Sequence, residues 1–168
     1  MPAHRIAADP AGDDAAGAYP GLHLRVGADE LTFRVPSAAT DGALLAVDVA
    51  LPAGGGPPAL HRHAPDEVYR LQHGELAIYV EDDAGEVRRT LAGPGHVVHI
   101  PGGRAHTVRN ESDGGALAYV VFTPGEQMER FVLAADALAA SGPPQIADVL
   151  ALAERHGIEM LGPVGGRG

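Results

Sequence analysis

From residue 21 to about residue 123 the chain consists of short apolar runs of period two, each closed by a cluster of Gly, Pro or Asp. The runs are Leu31–Val35, Ala43–Leu51, Val68–Leu71, Leu76–Val80, Val97–Ile100, His106–Arg109 and Leu117–Phe122. Side chains of an extended strand alternate between two faces, so period two marks one buried and one solvated face. Many short strands at regular spacing predict an all-β barrel or sandwich. Helical crossovers are missing between the runs, which argues against a parallel α/β sheet. The 168 residues are enough for one ordinary domain with its own core. That core must be aliphatic, because aromatics make up 4% of the chain and Trp is absent.

The flanks read differently. Residues 1–20 are rich in Ala, Gly, Asp and Pro without periodicity, and are expected to be a flexible segment ahead of a barrel over 21–123. Thr123-Pro124-Gly125-Glu126 reads as a helix start, with Thr123 as N-cap and Pro124 in the first turn. Met128, Phe131, Val132 and Ala135 follow at helical spacing. After the break at Gly142-Pro143-Pro144, a second helix carries the stripe Ile146, Val149, Leu150 and Ala153. Gly157, with apolar Ile158 behind it, reads as its C-terminal cap. Two helices are therefore expected over 124–163, packed on the barrel or on a partner subunit, with a frayed tail at 164–168.

Charge and composition remove several function classes. The net charge is −10, from 22 acidic and 12 basic residues, and an acidic surface repels nucleic acid and anionic membranes. There are no cysteines, so disulfides and thiolate metal sites are excluded and any metal must take nitrogen and oxygen ligands. Residues 1–20 lack an apolar stretch behind a basic start, and no apolar run reaches membrane-spanning length. A cytoplasmic location is expected.

Among the nine histidines, His61 and His63 flank Arg62, and on a strand both imidazoles project to one face. Glu67 follows a turn marked by Pro65, which re-aims it. His106 opens a later strand run and is expected to approach from a facing sheet. Three neutral imidazoles and one carboxylate suit a borderline divalent ion, either tetrahedral zinc or a five- or six-coordinate ion with open positions. An HxH pair alone also occurs on metal-free surfaces. What distinguishes this one is the longer spacing. Gly55, His61, His63, Glu67 and Gly74 form Gx5HxHx3Ex6G, and Gly95, Pro101, Gly103, His106 and Asn110 form Gx5PxGx2Hx3N.

Both patterns resemble the two motifs of the cupin superfamily, with every defining position filled. The resemblance implies a double-stranded β-helix, the cupin jelly-roll barrel, followed here by the two C-terminal helices. It implies His61, His63, Glu67 and His106 as ligands of one divalent transition metal: Fe, Mn, Ni, Co, Cu or Zn. The stretch from Thr40-Asp41-Gly42 to Pro58, then FTPGEQMERF and AERHGIEMLGP, are similar to quercetinase-like single-domain cupins. That similarity spans about residues 20–163. It implies a dioxygenase acting on a flavonol or similar polyphenolic enol, with Glu67 as general base. Aromatic polyketide cyclisation or isomerisation, and a non-catalytic metal-binding role, are the alternatives. The expected partners are a small-molecule substrate and a second copy in a homodimer.

His96 stands where the subgroup often has Asp, and reads as a surface substitution. His99 reads as a strand-end residue facing solvent or pairing across the sheet. His156 sits at a helix end, where a cation suits the dipole. Tyr69 and Leu71 share the alternation of Glu67, so they are either core residues or neighbours of the metal. Asn110 is expected to order the turn after its strand through side-chain to backbone bonds.

Overall fold

The structure, a computed structural model, describes residues 21–164; the expected flexible segment and residues 165–168 of the expected frayed tail lie outside them. The first strands are β1 (His23–Val26), β2 (Asp29–Val35), β3 (Leu45–Leu51), β4 (Leu60–Arg62), β5 (Asp66–His73) and β6 (Leu76–Glu81). They continue as β7 (Val87–Ala92), β8 (Val97–Ile100), β9 (His106–Arg109) and β10 (Ala116–Thr123). Helices α1 (Glu126–Ala140) and α2 (Ile146–Arg155) follow, and the chain returns as β11 (Glu159–Gly162).

The strands form two antiparallel sheets, ordered β1-β2-β3-β10-β5-β8 and β11-β4-β9-β6-β7. From β3 to β10 the chain passes back and forth between them, staying in one sheet only for the β6–β7 hairpin. This is the expected double-stranded β-helix, with two helices after β10. Register explains the core. One row across the larger sheet is Val98–Tyr69–Val120–Val47–Phe33, and the next is Ile100–Glu67–Phe122–Leu45. Apart from half-buried Tyr69 and Val98, these residues are buried. Each large aliphatic or aromatic side chain among them contributes roughly 1.5–3 kcal/mol by leaving water.

Four strands escaped the periodicity reading for different reasons. β1, β4 and β11 are short and bury at most one residue each, so they carry little alternation. β7 is an edge strand, and Arg88, Arg89, Thr90 and Leu91 are all exposed. An edge strand with little to bury carries no period-two signal.

The expected helix start needs correction. Thr123 is still in β10 and its hydroxyl donates to the Ala43 carbonyl at 3.0 Å. The cap position falls to Gly125, and no side chain caps α1. A Cβ at Gly125 would lie 2.1 Å from the Leu45 backbone nitrogen, so glycine is required by the approach to β3. On α1 the expected stripe buries Met128 and Val132, together with Glu129, whose carboxylate accepts from the Ser37 backbone N–H. On α2, Ile146, Val149 and Leu150 of the expected stripe are 80%, 40% and 45% exposed, while Leu152 and Ala153 are buried against the described residues. The predicted cap at Gly157 is present: Ile158 N–H reaches Ala153 O at 2.9 Å and Gly157 N–H reaches Glu154 O at 3.0 Å. Among the described residues, no helix is long and apolar enough to cross a membrane.

Candidate metal centre

His61 lies on β4 directly opposite His106 on β9. The two are neighbours in one sheet, which corrects the expectation that His106 comes from a facing sheet. Glu67, on β5 of the other sheet, is the residue that faces across the barrel. His63 follows β4 at the start of the turn that carries the chain from one sheet to the other. The turn Pro101-Gly102-Gly103 docks on that crossing. Gly103 N–H donates to His63 O at 2.7 Å, and Gly102 N–H donates to Asp66 Oδ1 at 2.8 Å. A Cβ on Gly102 would sit 2.0 Å from the Ala64 carbonyl oxygen, so the two motifs interlock only through a glycine.

The three imidazoles converge. Their candidate ligand atoms all lie within 4.8 Å of one another. Glu67 Oε1 lies 2.8 Å from His63 Nε2 and 3.5 Å from His106 Nε2, so the carboxylate joins through two of the three histidines. All four side chains are buried: His61 is 9% exposed, His63 and Glu67 3%, His106 2%.

Hydrogen bonding fixes the tautomers. The Nδ1 atoms of His61, His63 and His106 face the carbonyl oxygens of Ala59, Pro65 and Arg104, at 3.2, 3.1 and 2.9 Å. A carbonyl only accepts, so each Nδ1 carries the proton and each neutral ring turns a bare Nε2 lone pair inward. Nε2 of His63, Nε2 of His106 and Oε2 of Glu67 are buried without a hydrogen-bond partner. A lone pair on His63 Nε2 set 2.8 Å from a carboxylate oxygen is repulsive unless a cation or proton lies between them.

The electrostatics carry the same tension. Burial, then neighbouring His106, pushes His61 down to about 4. Burial works against the charge on Glu67, yet His106 and His63 hold its carboxyl well below the usual range. Burial likewise opposes a charge on His106, and Glu67 beside it prevails and raises it. Burial, then the charge of Glu67, raises the Tyr69 hydroxyl well above its ordinary value, so Tyr69 stays protonated. Tyr69 is thus a neighbour of the site, while Leu71, 1% exposed, is core.

The other singled-out residues lie elsewhere. His99 is exposed and pairs with Asp66 at 2.8 Å. His96 is exposed in its turn, where its Nδ1 accepts from Gly93 N–H at 3.1 Å. Asn110, fully buried, donates to Leu51 O and Gly114 O and accepts from Ser112, ordering the turn as expected. His156 closes α2 as expected, where burial, then Arg155 and Arg130, lowers its pKa. The sequence reading also missed Met160, which lies opposite His61 on β11. No local pattern marks it, because β11 was not recognised as a strand.

Comparison with known proteins bears on the fold. Residues 47–122 match the cupin domain family. An RmlC-like cupin from Shewanella frigidimarina shares 17% identity and a TM-score of 0.51, over 62% of this chain and 85% of that one. A predicted oxalate decarboxylase from Thermotoga maritima shares 21% identity and a TM-score of 0.50, over 56% of this chain and 79% of that one. The protein TT1209 from Thermus thermophilus is 33% identical over 50% of this chain and 75% of its own, with a TM-score of 0.44. No curated protein matches the chain.

Proposed function

We propose that this chain, whose residues 47–122 match the cupin domain family, is a metal-dependent dioxygenase acting on a flavonol or a related polyphenolic enol. The observation that carries the metal is the inward set of bare donors: Nε2 of His63 and His106 and Oε2 of Glu67, buried and unpartnered. His61, His63 and His106 fit a divalent transition ion in donor type, convergence and tautomer, and Glu67, close to His63 and His106, adds a carboxylate oxygen. When bound, such an ion supplies Lewis acidity toward an enolisable hydroxyl-carbonyl group and, if redox-capable, reactivity with O2.

The chain supplies the rest. Glu67 Oε2 is an unpartnered carboxylate oxygen suited to accept the substrate's hydroxyl proton. His106 and His63 keep Glu67 ionised, and to act as a base it must gain proton affinity when substrate displaces those contacts. The three backbone carbonyls hold the imidazole planes, so the donors do not reorganise when substrate enters.

The decisive experiment combines metal analysis after chelator-free purification with oxygen-electrode assays. The reconstituted protein is challenged with flavonols and catechols under Fe, Mn, Ni, Co and Cu. Oxygen uptake with at least one pair is expected. No uptake with any pair refutes the dioxygenase, and substrate conversion without uptake would point to cyclisation or isomerisation.

A further inference from the structure

Met160 is the one residue from the C-terminal strand that shares a sheet row with the candidate ligands. Across the smaller sheet, β-pairing aligns Met160 with His61, His61 with His106, and His106 with Val80. Directly opposed residues of antiparallel strands put their side chains on one face. Their neighbours give an internal check. Glu159 pairs with Arg62, and these side chains are 63% and 41% exposed, with their charged groups 3.6 Å apart. Glu159 and Arg62 therefore point outward, and Met160 and His61 point inward. Met160 is half-buried and packs against the core cluster, while its edge also borders the cleft between α2 and β11 near Leu150 and Glu154. It stands between the site and the surface.

We infer that Met160 forms the wall of the metal centre beside His61 and selects for a ligand with an aromatic ring. A thioether is flexible and polarisable and makes favourable contacts with ring edges. Val80, at the other end of the row, adds an aliphatic surface. A planar phenolic ligand held at the metal meets these two side chains with its ring. The inference rests on the proposed metal site, and its test separates the two.

The chain has three methionines, Met1, Met128 and Met160. Protein labelled with 13C at the methionine methyls is loaded with Co2+, and Met160→Leu identifies the Met160 signal. The paramagnetic ion is expected to shift or broaden the Met160 methyl far more than that of Met128, which sits on α1 where it packs on β1. The second arm follows 4-nitrocatechol binding to the Co2+ protein by its visible spectrum. Met160→Ala is expected to weaken that binding roughly threefold to tenfold, with Co2+ affinity unchanged. Absence of Co2+ uptake by the unmutated protein overturns the metal reading and this inference with it. Uptake with the Met160 methyl no more affected than Met128 overturns the inference alone. Parallel loss of Co2+ and 4-nitrocatechol affinity in Met160→Ala assigns Met160 a structural role only. Failure of the unmutated Co2+ protein to bind 4-nitrocatechol overturns the aromatic selectivity.

Discussion

The two strands that carry the candidate ligands are held very differently. β5, bearing Glu67, has eight residues and is paired on both sides, by β10 along nearly its whole length and by β8 over four positions. β4, bearing His61, has three residues and meets β9 at one position only, His61 opposite His106. Its other edge is held by β11, through Glu159, Met160 and Gly162. Glu67 is therefore fixed by the body of the barrel, whereas His61 depends on the last described strand. The difference teaches that ligands close in space can rest on supports of unequal stability. It also gives the C-terminal return a task, since without β11 the strand carrying His61 would become a barely paired edge.

Four measurements test that contrast, in order of expected effect. His106→Ala removes both a candidate ligand and the only described β9 partner of His61 across that row. Outer-shell partners alone cost about 10–100-fold in metal affinity, so the loss here should exceed roughly a hundredfold. Calorimetric titration with Co2+ reads it, and unchanged affinity would remove His106 from the site. Glu67→Gln sits on the firmly held strand and should leave the fold and most metal binding intact while turnover drops about 10²–10⁴-fold. Full turnover in this variant would refute the general-base role.

Deleting residues 159–168 attacks the weakly held strand. Metal affinity should fall by about tenfold or more, and amide hydrogen exchange should quicken in β4 while β5 stays protected. Equal protection of both strands would break the comparison. The smallest effect concerns acid. His156 closes α2 just ahead of β11, and its folded pKa is below that of the unfolded chain. The unfolded chain then binds more protons below about pH 6.5, so stability falls on acidification through that range. His156→Asn should lose less stability than the unmutated protein between neutral and mildly acidic pH in thermal melts. A steeper loss in the variant would reverse the sign of this contribution.

Legibility in the sequence followed local constraint. The barrel was readable because burial of one face imposes period two, as in β10, where Ala116, Ala118, Val120 and Phe122 are all buried. Gly157 was readable because a Schellman cap is local chemistry. The α2 stripe shows the complementary limit. Periodicity states that Ile146, Val149 and Leu150 share a face, but it does not supply a neighbour to cover that face. Thr123 misled because a strand and a helix cap both accept threonine there, and the Ala43 carbonyl decided between them.

The sequence by itself singled out the candidate donors, since His61, His63, Glu67 and His106 stand at spacings set by strand alternation and two glycine-bounded motifs. It determined the need for the motif glycines only in outline. Tertiary structure decided which sheet each donor belongs to, which ring nitrogen is bare, and that Gly102 must pass within contact of Ala64. It alone brought Met160, about a hundred residues after His61, into the same row. The physical reason is that local sequence constrains dihedrals and faces, whereas strand neighbours and hydrogen-bond partners distant in sequence are chosen only when the barrel closes.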